Sequence, residues 1–216
     1  MPNKIELKPG QTLLFIGDSI TDADRNRQCY KPFGFGYVHF VANFLLARYP
    51  TYNLNIINRG ISGNGIKDLK ERWKRDCLNH KPDILSILIG VNDVWRRIAE
   101  NDLTGSADVS EYDSTLRLLL SQVKKDCSSR LVLCEPFMFC NDFNDPVFAE
   151  LRHFVEVVRV IAKDFDAVLV PLQKLIDEQI KQIPPQKWSA DSVHPEVWAH
   201  AWIAQQWLIS TGLFTL

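Results

Sequence analysis

Short apolar segments recur along the chain, and the stretches between them are long enough to hold a helix. These segments are residues 12–17, 53–59, 83–90, 130–137 and 166–172. Their hydrophobic positions are nearly continuous rather than alternating, which is typical of strands that are covered on both faces. The pattern therefore predicts five strands of one parallel sheet, with a helix crossing over between successive strands.

The stretches between the apolar segments have helical periodicity and recognisable helix boundaries. The predicted helices cover about 36–48, 65–79, 110–127, 146–165, 172–183 and 195–211. The boundary signals are Ser110 with Asp113 as a capping box, Asp145 and Pro146 as N-cap and first helical residue, Pro195 as the opening of the last helix and Gly212 as its left-handed cap. This alternation predicts an α/β protein, a single three-layer α/β/α domain over residues 1–216.

The longest irregular stretches lie at about 22–35, 93–109, 138–145 and 184–194. Three of the four follow the C-terminal ends of predicted strands. Ligands of open parallel sheets bind at that edge, so we expect the functional residues there.

Composition narrows the classes of function. The 216 residues are 46% hydrophobic, and 25 basic against 26 acidic side chains leave a net charge of −1. No long block of one charge sign is present to bind nucleic acid or a membrane surface. The N-terminal residues 1–11 lack the apolar core of a secretory signal, and no apolar run approaches the roughly 18 residues of a membrane span. We therefore expect a cytoplasmic protein.

The five cysteines, at positions 29, 77, 127, 134 and 140, are odd in number and show no C-x-x-C spacing. This pattern argues against a disulfide framework and against a zinc site. We expect reduced cysteines that lie mostly in the core, and no bound metal.

Ser19 follows the first predicted strand directly, where a strand-to-helix turn can project a hydroxyl nucleophile. A helix N-cap serine is the alternative. A nucleophile needs a nearby base with an orienting partner. Among the five histidines, His194 stands out because it follows Asp191 by three residues in a predicted loop. The Asp191 carboxylate could accept from Nδ1 of His194 and leave Nε2 for the proton of Ser19, although a surface histidine beside a helix start would show the same spacing.

Acyl transfer also requires donors for the oxyanion of the tetrahedral intermediate. Gly63 and Asn92 each follow a predicted strand and could supply them, or could simply belong to turns. The joint placement of all these groups on one predicted rim favours the catalytic interpretation.

Four short motifs carry a resemblance to the SGNH branch of the GDSL esterase and lipase family. They are G-D-S-I-T at 17–21, G-I-S-G-N at 60–64, G-V-N-D at 90–93 and D-S-V-H-P at 191–195. They occur in the family order and span nearly the whole chain. The resemblance implies a flavodoxin-like five-stranded sheet.

For the site, the resemblance implies Ser19 as nucleophile, His194 as base and Asp191 as its partner. It also implies an oxyanion hole formed by the Ser19 N–H with Gly63 and Asn92, and chemistry without a cofactor.

Further segments, including D-L-K-E-R-W at 68–73, resemble compact bacterial intracellular members such as acetylxylan esterases. They suggest removal of acetyl groups from small carbohydrate esters of the xylo-oligosaccharide type. The segments 22–37 and 135–142 depart from that pattern. The alternatives are a lysophospholipase, a thioesterase, a general short-chain esterase or a carbohydrate-binding module without activity.

Substrate contacts are expected from Trp95 and Trp188, whose indoles could stack on a sugar ring or pack beneath their loops. Asp18 is a further candidate, with fixation of the turn as its alternative role. Three more tryptophans in the last predicted helix, Trp198, Trp202 and Trp207, favour core packing or subunit contact. If they form a subunit contact, the protein is a homo-oligomer.

Overall fold

Five strands form one parallel sheet in the part of the chain that the computed structural model describes, residues 4–25 and 32–215. The strands are β1 (Thr12–Gly17), β2 (Asn55–Gly60), β3 (Ile84–Leu88), β4 (Arg130–Cys134) and β5 (Val168–Val170). Their order in the sheet is β2-β1-β3-β4-β5, and every neighbouring pair is parallel. The predicted flavodoxin-like sheet is confirmed.

Helices cover the sheet on both faces. In the described ranges they are α1 (Ser19–Asp22), α2 (Tyr37–Arg48), α3 (Ile66–Asp76), α4 (Val91–Ile98), α5 (Val109–Asp126), α6 (Pro146–Asp164), α7 (Leu172–Gln179), α8 (Pro185–Trp188) and α9 (Val197–Thr211). Helix α2 packs on α9, whereas α5 packs on both α3 and α6. All five residues of β3 are buried, as a central strand between two helical layers requires.

Two predicted loops contain short helices. Helix α4 occupies the start of the stretch predicted as irregular at 93–109, and α8 lies within the predicted loop 184–194. The predicted helix 65–79 ends at Asp76, and a 3₁₀ turn follows at Leu78–His80. These differences leave the sheet order unchanged, but they place more regular structure at the functional edge than we predicted.

Two predicted helix starts are wrong. Asp108, not Ser110, is the N-cap of α5, because its side chain accepts a 2.8 Å hydrogen bond from the Glu111 N–H. Ser110 lies inside the first turn. Pro195 precedes α9, which begins at Val197.

Two other boundary predictions are confirmed. Asp145 accepts from the Phe148 N–H at 2.9 Å and caps α6, with Pro146 as its first residue. Gly212 closes α9 with a φ of +77°, a left-handed conformation that favours glycine.

Cys77 and Cys134 are buried, and Cys127 and Cys140 are partly buried; all four are free thiols. Cys29 lies outside the described residues, as does the part of the divergent segment 22–37 at 26–31. Within the described ranges no helix has the length and apolar character needed to cross a bilayer.

Candidate active site

The first turn after β1 presents the Ser19 hydroxyl. Asp18 is the N-cap of α1, and its Oδ1 accepts from the Ile20 N–H at 3.0 Å. The alternative of Ser19 as N-cap is therefore wrong. Close packing of β1 on β3 requires a glycine just before the turn, since a Cβ on Gly17 would lie 2.1 Å from the Leu88 carbonyl oxygen. Ser19 is left as the first helical residue, with its side chain free for other contacts.

Three side chains form a continuous hydrogen-bonded chain. Ser19 Oγ lies 2.9 Å from His194 Nε2, and His194 Nδ1 lies 2.6 Å from Asp191 Oδ2. Partial burial opposes ionisation of Asp191, but hydrogen bonds from the ring and backbone of His194 and from the Val193 N–H hold its pKa well below the usual range. An ionised Asp191 accepts from Nδ1–H, and so Nε2 is the acceptor that faces the Ser19 hydroxyl.

The loop that carries Asp191 and His194 is fixed by its own hydrogen bonds. Asp191 Oδ1 accepts from Ser189 Oγ at 2.9 Å and from the backbone N–H groups of Val193 and His194 at 2.9 and 2.8 Å. Ser189 and Pro195 form an antiparallel bridge at the base of the loop. The carboxylate is thereby held in place independently of the imidazole that it orients.

Trp188 does not reach the substrate side of this loop. It is 1% exposed, and its ring stacks on Phe139 with the centroids 5.6 Å apart. Trp198 and Trp202 pack against it at 4.5 and 5.1 Å. The prediction that Trp188 contacts substrate is wrong, because these aromatic rings, from the segment after β4 and from α9, enclose it. Packing beneath the loop, its alternative role, is the one that the structure shows.

The predicted oxyanion donors occupy the neighbouring strand ends. Gly63 has a φ of +79° in the turn after β2. Within the described residues, neither its N–H nor that of Ser19 is donated to a protein acceptor. Asn92 Nδ2 donates one hydrogen to the Asn64 carbonyl oxygen at 3.0 Å, which leaves a second hydrogen available.

Two cavities meet at His194. One, of ≈ 210 Å³, is lined by Val91, Asn92, Trp95, Asp191, Val193 and His194. The other, of ≈ 260 Å³, contains Ser19, Ser62 and Phe35. Trp95 is 37% exposed, so its indole is accessible to a ligand. Two larger cavities on the described surface contain none of the predicted catalytic residues.

Asp18 is 1% exposed, so its carboxylate cannot contact a substrate directly. The alternative role in the turn is the one that the structure shows. Burial raises the pKa of Asp18 to about 7, against the hydrogen bond from Ile20 and the nearby His194, both of which favour the ionised form.

The sequence did not single out His200 or Asp93. His200 lines the second cavity, is 3% exposed and accepts from the Tyr37 N–H at 3.2 Å. Asp93 is fully buried, and its two oxygens accept from the Ile66 N–H at 3.1 and 3.0 Å. Asp93 therefore joins the start of α4 to the start of α3. The place of Asp93 in the G-V-N-D motif was the signal that could have identified it. Nothing in the sequence around His200 indicated that this histidine lies at the site.

Comparisons with known proteins cover nearly the whole chain. The GDSL-like Lipase/Acylhydrolase family matches residues 15–202. An acetylxylan esterase from Geobacillus stearothermophilus is 36% identical over 96% of this chain and 97% of the relative. A crystal structure of an acetylxylan esterase from that organism superposes with a TM-score of 0.91 at 36% identity, with 98% of each chain covered.

Further solved structures are also similar. An alpha/beta hydrolase enzyme from the metagenome of Lake Arreo, Spain, superposes with a TM-score of 0.91 at 30% identity, over 97% of this chain and 99% of that one. Two structures of the Geobacillus esterase are of catalytic mutants, one with a serine and one with an aspartate replaced by alanine. Together with the fold, these matches confirm the predicted family: the chain belongs to the GDSL-like lipase/acylhydrolases and is a serine carboxylic ester hydrolase.

Proposed function

We propose that this protein removes acetyl groups from carbohydrate esters of the xylo-oligosaccharide type, with Ser19, His194 and Asp191 as its catalytic residues. The observation that carries the proposal is the unbroken chain of contacts from Ser19 Oγ through the His194 ring to the Asp191 carboxylate. The Geobacillus relative supports the substrate class, since that protein is an acetylxylan esterase.

The chemistry begins when His194 Nε2 takes the proton of Ser19 as Oγ attacks the ester carbonyl carbon. The tetrahedral intermediate collapses to an acyl-serine, and His194 returns the proton to the sugar oxygen that leaves. Water, activated by the same imidazole, then releases acetate. Asp191 keeps the imidazole in the required tautomer and stabilises the imidazolium that forms.

The negative charge on the carbonyl oxygen would be stabilised by the backbone N–H groups of Ser19 and Gly63 and by Asn92 Nδ2. The described residues offer no acceptor to the two backbone donors, and Asn92 retains one unused hydrogen. Removal of one such donor typically costs about 10²–10³ in kcat.

The size of the cavities supports a short acyl group. Volumes of ≈ 210 and ≈ 260 Å³ lie below the roughly 300–1,000 Å³ of pockets that enclose drug-sized ligands. A long acyl chain would have to extend across both cavities, whereas an acetyl group needs only one of them. The exposed indole of Trp95 gives the first cavity a surface on which a sugar ring can stack.

Self-association and a cytoplasmic location stay predictions. Val197 and Trp198, at the start of α9, are 53% and 46% exposed, which supports the proposal of a homo-oligomer. The four free cysteines support a reducing compartment. Gel filtration of the purified protein and fractionation of native cells test these two proposals.

The test is acetate release from acetylated xylo-oligosaccharides and from p-nitrophenyl acetate, with wild type beside Ser19→Ala. Ser62→Ala is the matched control, because Ser62 lines the same cavity but its hydroxyl donates to Asp22. We expect Ser19→Ala to lose at least about 10³-fold in kcat on both substrates and Ser62→Ala to retain activity. Equal losses would contradict the assignment of the nucleophile.

The two substrates also separate the alternatives. Cleavage of p-nitrophenyl acetate alone would leave an esterase with another natural substrate, and a p-nitrophenyl ester chain-length series would then define it. Binding of the oligosaccharide without turnover of either ester would favour a carbohydrate-binding module.

A further inference from the structure

Arg72 is a buried cation that lies behind the proposed active site. It belongs to the D-L-K-E-R-W segment on α3 and its side chain is 6% exposed. Burial lowers its pKa, although the ion pair with Asp76 acts in the opposite direction. A guanidinium is removed from water at a high cost unless its N–H groups are satisfied, so its partners indicate what it holds.

The partners of Arg72 come from three segments that meet at the active site. Nη2 donates to the Gly17 carbonyl oxygen at 2.9 Å, and Nη1 donates to that of Arg59 at 2.7 Å. Nε donates to Asn64 Oδ1 at 2.6 Å. Gly17 ends β1 two residues before Ser19, and Asn64 directly follows Gly63. The Arg72 side chain therefore connects the end of β1, which precedes Ser19, with the loop that carries the proposed oxyanion donor Gly63.

The connection continues to the other oxyanion donor. The carbonyl oxygen of Asn64 accepts from Asn92 Nδ2 at 3.0 Å. This bond fixes the plane of the Asn92 amide and thus the direction of its second hydrogen. Because Arg72 holds the side chain of Asn64, the position of Asn64 governs where the Asn92 donor points.

We propose that Arg72, acting through Asn64, is a positioning residue that aligns the Asn92 donor and the Gly63 turn with Ser19. The inference rests on the proposed function, in which these groups stabilise the oxyanion. Arg72 itself touches no reacting atom. Its effect is on the geometry of the transition state rather than on the binding of substrate.

An ion pair alone does not account for this arrangement. Asp76 already accepts two hydrogen bonds of 2.9 Å from Arg75, whose side chain is 71% exposed. The contact of Arg72 with Asp76 is longer, at 3.3 Å. The three shorter bonds of Arg72 go to the two strand ends and to Asn64. Lysine would keep the charge but could not span these acceptors, because its ammonium is a single point donor.

The experiment compares Arg72→Lys with Arg75→Lys, the same substitution three residues away on the same helix and next to the same Asp76. With p-nitrophenyl acetate, we expect Arg72→Lys to lower kcat by about 10- to 100-fold with KM within about twofold, as for an interaction made in the transition state. Arg75→Lys should match wild type. A rise in KM without a fall in kcat, or equal effects of the two variants, would overturn the proposal.

A double-mutant cycle with Asn92→Ala separates positioning from general loss of structure. In the Asn92→Ala background, Arg72→Lys should lower kcat by a clearly smaller factor than in wild type, because one of the two donors that it aligns is absent. The same factor in both backgrounds would overturn the proposal. If Arg72→Lys does not fold, Asn64→Ala replaces it in the cycle, since it removes only the acceptor of Nε and keeps the carbonyl that Asn92 contacts. Full activity of Ser19→Ala would instead refute the proposed function itself.

Discussion

The buried imidazole of His200 makes the folded protein sensitive to acid. Burial, followed by the repulsion from nearby His194, lowers the pKa of His200 from 6.5 to about 4. Between these values the unfolded chain binds a proton that the folded chain does not. The titration of His200 therefore leaves the free energy of unfolding unchanged above pH 6.5 and lowers it as the pH falls from 6.5 toward 4.

The size of this contribution follows from the change in pKa. At about 1.36 kcal/mol for each pKa unit, a decrease from 6.5 to about 4 corresponds to roughly 3 kcal/mol. A domain of ordinary stability has only about 5–15 kcal/mol in total. We thus expect the protonation of this one ring to account for a measurable part of acid denaturation.

The test is His200→Asn, which removes the titration and can keep an acceptor for the Tyr37 N–H. Urea unfolding, followed by tryptophan fluorescence, is measured at about pH 7 and about pH 4.5 for both proteins. We expect wild type to lose roughly 2–3 kcal/mol more than the variant between these conditions, beyond a constant offset for the change in packing. His39→Asn, at an exposed position, should behave as wild type. Identical losses in wild type and His200→Asn would refute the reasoning.

Three further predictions concern single side chains. The raised pKa of Asp18, about 7, acts in the opposite direction to the lowered pKa of His200, because burial destabilises the ionised carboxylate in the folded protein. The free energy of unfolding should therefore decline as the pH rises from about 4 to 7, and Asp18→Asn should remove that decline. Parallel pH curves for wild type and Asp18→Asn would contradict this. Trp95→Ala should raise KM for acetylated xylo-oligosaccharides with little change in Tm. Trp188→Ala should instead lower the free energy of unfolding by about 3–5 kcal/mol. Calorimetry and steady-state kinetics on both variants distinguish the two effects. Asp108→Ala should cost about 1 kcal/mol in urea unfolding and Ser110→Ala less than about 0.5, and the reverse order would restore Ser110 as the cap.

The sequence was sufficient for the features that depend on local pattern and chain order. Mostly apolar runs predicted the five strands of the described sheet, because strands that are covered by helices on both faces keep few polar positions; the edge strand β2, with Asn58 and Arg59, is the most polar of them. The contact between Ser19 and His194 was also predictable in outline, since the ends of parallel strands converge on one edge. The short spacing from Asp191 to His194 allowed their hydrogen bond to be predicted in the same way.

Features that depend on distant partners could not be predicted. The neighbours of Trp188 in the sequence are mostly polar and do not indicate whether its side chain is exposed or buried. The rings that bury it come from Phe139 and from α9. Similarly, Arg72 lies on a helix rich in charged residues, where a basic side chain is ordinarily solvated. Its burial follows from carbonyl groups that the sheet register brings to it, and no local pattern encodes that register.

The hydrogen-bonded loop at 189–195 has a consequence for how such an enzyme can diversify. Its aspartate and histidine are set in place by seven consecutive residues, which form their own brace at Ser189 and Pro195. An insertion within that segment would disturb the pair of Asp191 and His194, and so would a change after β4, where the Phe139 N–H donates to the Ser192 carbonyl oxygen at 2.8 Å. The segment around Trp95 makes no hydrogen bond to the loop among the described residues. New ester preferences can therefore arise by lengthening or exchanging the segment around Trp95, while the loop that carries Asp191 and His194 keeps its structure.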